Sequence, residues 1–186
     1  MTNTKRAKLP TVEIVVTYMT MGERPTRPAR PAPLGKLAIL RAEHPTVPFY
    51  RFLYNTVGEP WHWTDRRLMP DDALRANIAD PKVELYVLYA AGSPAGYAEL
   101  DFRPMPVANL AYFGLMPEHV GHGLGGWFLD WAVRGLWLRG PERITVDTCN
   151  LDHPRAFQAY QRAGFAVERR ETKRLVPMDA VKAIGL

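Results

Sequence analysis

Hydrophobic positions recur at two different intervals along this chain. Residues 11 to 21, TVEIVVTYMTM, crowd β-branched and aromatic side chains together and predict a first strand. After Pro48, FYRFLYNTVG has helical spacing and stops at Gly58, and MPDDALRANIAD predicts a second short helix with Pro70 and two aspartates at its entrance. VELYVLYAAGSPAGYAELDFRP reads as two strands about a Gly-Ser-Pro turn, and VANLAYFGLMP as a third. A helix over about residues 124 to 139 is apolar almost all round, so it should be buried on more than one side. RITVDTCN is then a strand, HPRAFQAYQRAG a helix and FAVERRETKRLV a last strand. Strand and helix alternate through the carboxyl-terminal half without repeat, which predicts an α/β (α+β) class with one domain over residues 1 to 186.

Between the first strand and the first helix, ERPTRPARPAP places prolines at 25, 28, 31 and 33 among three arginines. Proline at this density prevents both helix and ladder, so the segment reads as an extended loop, either a solvated linker or an arm for an acidic partner. Composition sharpens this. Residues 1 to 41 hold eight Lys and Arg against two Glu, a net of +6, and the remaining 145 residues carry a net of −1. The body is near neutral, which makes nucleic acid an unfavoured partner outside the basic arm. Lys5, Arg6 and Lys8 before an apolar run superficially suggest a leader, but Glu13 interrupts the run and no small-residue cleavage site follows. No apolar run approaches the roughly 20 residues of a membrane helix. Cys149 is the only cysteine, which excludes an intrachain disulfide and fits a cytoplasmic location.

PEHVGHGLGG, residues 117 to 126, puts Gly121, Gly123, Gly125 and Gly126 directly in front of the apolar helix. Each glycine inside a helix costs up to about 1 kcal/mol relative to alanine. The first-turn amides of a helix have no intrahelical partner and lie at the positive end of its dipole, so glycines there admit a bulky anion such as a diphosphate. No Gly-Lys-Ser/Thr follows, and the setting of a dinucleotide fingerprint is missing. One strand later, PRAFQAYQRAGF places Tyr160 four residues before Gly164, with Phe165 opening the next strand.

These two motifs together resemble the GNAT superfamily of acyl-CoA-dependent N-acetyltransferases. VGHGLG after LMPE is similar to that family's phosphate loop, Q/R-x-x-G-x-G/A after apolar-x-Pro-Glu. His153, Ala156, Tyr160, Gly164 and Phe165 match its N-x-x-A-x-x-x-Y-x-x-x-G-F helix. The resemblance covers roughly residues 83 to 175. It implies a mixed, mostly antiparallel central sheet of about six or seven strands, flanked by helices and splayed at the cofactor site. It also implies acetyl-CoA as co-substrate, with the strand through Phe113, Leu115 and Met116 along the pantetheine arm. The amides of Val120, Gly121, His122, Gly123, Leu124, Gly125 and Gly126 would lie on the diphosphate. Two residues depart from the pattern: Val120 replaces Gln or Arg, and His153 replaces Asn, with Asn150 as a substitute contact.

Acetyl transfer to an amine needs a neutral amine, a polarised carbonyl and a proton for the departing thiolate. The resemblance implies Tyr160 for the last task. For the base, alternation puts Tyr97, Glu99 and Asp101 on one strand face and Ala98, Leu100 and Phe102 on the other, the core side. Glu99, nearest the middle, ranks first, and a solvated strand face is the competing reading. EPWHWTDRR offers Trp61, Trp63, His62 and Asp65 as walls for an amine, and Asp101 would add charge. Cys149 reads as inert packing, and His119 and His122 lack a third ligand, so no metal is expected. The expected function is an N-acetyltransferase acting on a small-molecule or peptide amine by direct attack in a ternary complex, with a homodimer open. The rivals are a silent CoA-binding module and a nucleic-acid-associated protein using the basic arm.

Overall fold

The computed structural model describes residues 9–185, so Lys5, Arg6 and Lys8 of the basic amino-terminal excess lie outside it. Seven strands form one sheet in the order β2-β3-β4-β5-β6-β1-β7, where β1 is Val12–Met21, β2 Leu37–Ala42, β3 Val83–Ala90, β4 Ser93–Asp101, β5 Val107–Leu115, β6 Arg143–Cys149 and β7 Ala166–Leu175. Every neighbouring pair is antiparallel except β5 with β6. That parallel pair holds only from Val107 opposite Arg143 to Asn109 opposite Thr145, after which the two strands diverge. The sheet is therefore splayed along the carboxyl half of β5, as the resemblance implies.

β2 was not expected from the sequence, and neither was the insertion of β1 between β6 and β7, two strands that follow one another in the chain. Asn150 continues the pairing of β1 with β6. Its Oδ1 accepts the Val15 amide at 2.8 Å and its own amide reaches Val15 O at 3.2 Å.

Helices cover both faces of the sheet. On one side lie α1 (Val47–Gly58), the single turn α2 (Asp65–Leu68) and α3 (Asp71–Ile78). Thr46 caps α1 by accepting the Phe49 amide, and Pro48 sits in its first turn, where no amide is needed. Tyr50, Leu53, Tyr54, Leu74 and Ile78 pack there on Leu85, Val87 and Tyr97. On the other side α4 (Leu124–Trp137) and α5 (Ala156–Ala163) bury Phe128, Leu129, Val133, Leu136 and Tyr160 against Ala98, Leu100, Leu110 and Ile144. Because α1 covers the second face of β4, the side carrying Tyr97 and Glu99 is a second core and not a solvated one. A last short helix, α6 (Met178–Lys182), docks through the Met178 amide, which donates to Nδ1 of His62 at 3.1 Å. Among the described residues no helix is long and apolar enough to cross a membrane.

Candidate active site

The loop from Val120 to Gly123 turns the chain from β5 into α4. Gly121 and Gly123 take φ of +89° and +81°, a region that side-chain-bearing residues rarely enter, and this aims the first turn of α4 at a cavity. Gly123 is the cap position and no side chain bonds the exposed amides there, which leaves them for a ligand. The cavity, about 400 Å³, runs from the glycine loop past Leu115 and Gly114 to Tyr160 and His153.

Of the residues expected around the donor, Leu115, Val120, Gly121, Gly123, Gly125, Gly126 and His153 line this cavity. Four others do not. Met116 is buried in the α1 core with its amide on Ala95 O, and the Leu124 side chain enters the α4 core. The His122 side chain is not part of the wall, and Asn150 is committed to β1. His153 accepts the Arg155 amide on Nδ1 at 3.1 Å and stands edge-on to Trp61, with ring centroids 4.9 Å apart.

A second cavity, about 410 Å³, opens where β5 and β6 part. Trp61, Trp63, Phe113 and Asp152 line both cavities. Asp152 fixes this junction. Its Oδ1 accepts Trp63 Nε1 at 3.0 Å, and its Oδ2 accepts Thr148 Oγ1 at 2.7 Å and the Cys149 amide at 2.8 Å. Tyr160, 7% exposed, faces the first cavity. Burial, followed by the charges of Asp152 and Asp147, pushes its hydroxyl well above the usual tyrosine value, so it carries its proton throughout the neutral range.

Asp65 and Asp101 line the second cavity together with Arg66, Tyr112, Asp147, Cys149 and Lys173. Asp101 is forked by Arg103 at 2.5 to 3.1 Å. Burial would raise its pKa, but the Arg103 bonds dominate and hold it below the ordinary carboxylate range. Asp147 moves the other way: although exposed along its strand, it loses part of its hydration to the cleft walls, and this, then the Asp152 charge, raises it. Burial and Asp152 likewise raise the Cys149 thiol, which leaves it a poor nucleophile.

Glu99 is placed elsewhere than the sequence suggested. It is 0% exposed, accepts the Tyr50 hydroxyl at 2.5 Å and pairs with Arg66 Nη2 at 2.9 Å, and it lines neither cavity. Its task is to hold Arg66, whose guanidinium lies 5.2 Å from the Tyr112 ring centroid at the cleft wall. Asp147 and Asp152 escaped sequence reading. The alternation in RITVDTC does put Thr145, Asp147 and Cys149 on one face, but which face meets the cleft depends on the splay of β5. Among the described residues no group of three His, Cys, Asp or Glu side chains is arranged to hold a metal ion.

The acetyltransferase (GNAT) family model matches residues 46–165. The chain belongs to the GNAT family. A comparison with the curated proteins gives no match. Among solved structures, this GNAT chain is similar to a putative GNAT acetyltransferase from Novosphingobium aromaticivorans (20% identity, 89% of this chain and 66% of that one, TM-score 0.61). It is also similar to a protein of unknown function from Staphylococcus epidermidis (14% identity, 90% and 63%, TM-score 0.62). A third similar structure is the aminoglycoside N-acetyltransferase AAC(6')-Iy in complex with CoA (21% identity, 74% and 94%, TM-score 0.54). The chain thus spans about two thirds of the length of the first two. At these identities the likeness carries the fold.

Proposed function

We propose that this GNAT protein transfers an acetyl group from acetyl-CoA to a primary amine by direct attack, with donor and acceptor bound together. The observation that carries the reading is the junction of two similar-sized cavities at Trp61, Trp63, Phe113 and Asp152. One of them begins at uncapped helix amides behind two left-handed glycines, a cradle suited to a diphosphate. The glycine loop would hold the phosphates, and Gly114 and Leu115 of β5 would lie along the pantetheine arm. When bound, acetyl-CoA supplies an activated thioester.

In this transfer a C–N bond forms as the C–S bond breaks. An ammonium acceptor gives up two protons, one ending on sulfur and the other in solvent. Tyr160 is the proton donor to sulfur: its hydroxyl is protonated, largely shielded and on the donor cavity. On the acceptor side Asp65 and Asp147 make no ion pair among the described residues, whereas Asp101 is answered by Arg103. Asp147, on the cleft wall and without an ion-pair partner among the described residues, is the carboxylate that takes a proton from an ammonium through water. The same cleft recognises a cationic amine beside the rings of Trp61 and Trp63. The Cys149 thiol, raised by burial and by Asp152, is a poor nucleophile, in keeping with direct attack.

The test is thiol release from acetyl-CoA with a panel of polyamines and amino sugars, in parent and Tyr160→Phe proteins. We expect kcat to fall about 10²-fold or more in the variant while CoA affinity is retained. Full kcat in Tyr160→Phe would remove Tyr160 from the chemistry, and failure of the parent to bind acetyl-CoA would sink the reading.

A further inference from the structure

The connection between β1 and β2, residues 22 to 36, is not a free linker. It crosses the entrance of α4 and is anchored there by one carboxylate. Asp130, 2% exposed, pairs with Arg27 Nη2 at 2.5 Å, accepts the Arg30 amide at 3.0 Å and accepts Arg134 Nε at 2.9 Å. Arg134 Nη2 in turn donates to Arg27 O at 2.7 Å. The prolines at 28 and 31 keep the backbone extended between these points, so two consecutive anchors fix where the Arg30 side chain starts.

That side chain runs over the first turn of α4. A Cβ built on Gly126 would lie 3.1 Å from Arg30 Nη1, so glycine at 126 leaves the guanidinium room to lie against the helix entrance. Among the described residues Arg30 has no carboxylate partner, while Arg27 has Asp130. An unneutralised cation held over the positive end of a helix is unfavourable by itself. It becomes favourable when an anion lies beside both and meets them together. Arg27 and Arg30 both line the cavity that contains the glycine loop, and Val120 supplies no polar side chain there.

We propose that Arg30 is a diphosphate-binding residue, presented by the Asp130-anchored strap, which contacts the CoA phosphates alongside the first-turn amides of α4. This rests on the acetyl-CoA reading above. It assigns to the proline-rich arm the polar contact that the Val120 side chain cannot make.

Calorimetric titration of CoA and of 3'-dephospho-CoA into parent, Arg30→Met and Arg30→Lys proteins tests it. Arg30 is exposed, so unchanged thermal midpoints serve as the control for folding. The expected result is that Arg30→Met weakens both ligands about 10- to 100-fold, the range for a lost hydrogen bond to a charged group. Lysine should restore part of the loss, and added salt should weaken the parent more than the Met variant. Equal affinity of parent and Arg30→Met for CoA overturns the proposal and leaves the acetyltransferase reading standing. A loss confined to CoA overturns it too, because Arg30 would then serve the 3'-phosphate. Absence of CoA binding by the parent shows instead that the parent reading has failed.

Discussion

Replacing Asp152 by asparagine tests whether the junction of the two cavities is built by this one carboxylate. The carboxylate accepts three hydrogen bonds, from Trp63 Nε1 at 3.0 Å on one oxygen and from Thr148 Oγ1 and the Cys149 amide at 2.7 and 2.8 Å on the other. The asparagine carbonyl can replace only one oxygen. With two bonds at stake it will keep Thr148 and Cys149, which turns its amide toward the indole N–H and sets donor against donor. One charge-assisted bond is lost, for about 1.5 to 3 kcal/mol, and the other two weaken from charged to neutral. Asp152 is only half-buried, so water recovers part of this, and a net cost of about 2 to 3 kcal/mol is expected. Urea unfolding should show a lower midpoint at unchanged slope, a shift on the order of 1 M. A cycle with Trp63→Phe, which has no N–H, should return a coupling of about 1 kcal/mol or more. A shift within about 0.5 kcal/mol, or no coupling to Trp63, would refute the reasoning, since a side chain that merely borders the cavities has no reason to be coupled to the indole.

Two further outcomes follow from the strap and from β5. Asp130 is pulled below the usual carboxylate range because burial is outweighed by the Arg30 amide, Arg134 and Arg27. Its stabilisation is therefore fully present above the unfolded value of about 3.9 and fades as pH falls through the lower folded value. Denaturant midpoints of parent and Asp130→Asn should converge only in strongly acid solution, and a constant difference down to the lowest pH would contradict the depressed pKa. A Cβ at Gly114 would overlap Val57 Cγ1 of α1, so Gly114→Ala should cost about 1 to 3 kcal/mol by overpacking. Melting with no loss would mean that α1 stands farther from β5.

What could be read from the sequence was whatever depended on neighbours along the chain. The left-handed glycines ahead of α4 and the spacing from Tyr160 to Gly164 are local, and both stand on one cavity or its wall. Alternation along β4 correctly separated Tyr97 and Glu99 from Ala98 and Leu100. It could not reveal that α1 would cover the first set, which turns Glu99 from an accessible base into a buried partner of Arg66. β2 escaped because its six residues alternate only partly and begin four positions after the last proline of the arm, Pro33. The strap escaped because proline excludes ladders without excluding docking, and the residue that docks it lies 100 positions away. Distance in sequence, and not weakness of the interaction, hid these features.

The placement of β1 in the sheet has a consequence for synthesis. Val15 meets Asn150 across 135 residues, and both strands that flank β1 follow it in translation. At about 5 to 20 residues per second, the nascent strand waits roughly 7 to 27 s with both edges bare. Closing that loop costs roughly 4 kcal/mol before any pairing repays it. A β-branched strand left open is a template for association with other chains, so nascent chains of this protein should depend on ribosome-associated protection. The cleft between β5 and β6, walled on one side by Ile14, Val16 and Tyr18, is completed only when that early strand is finally captured.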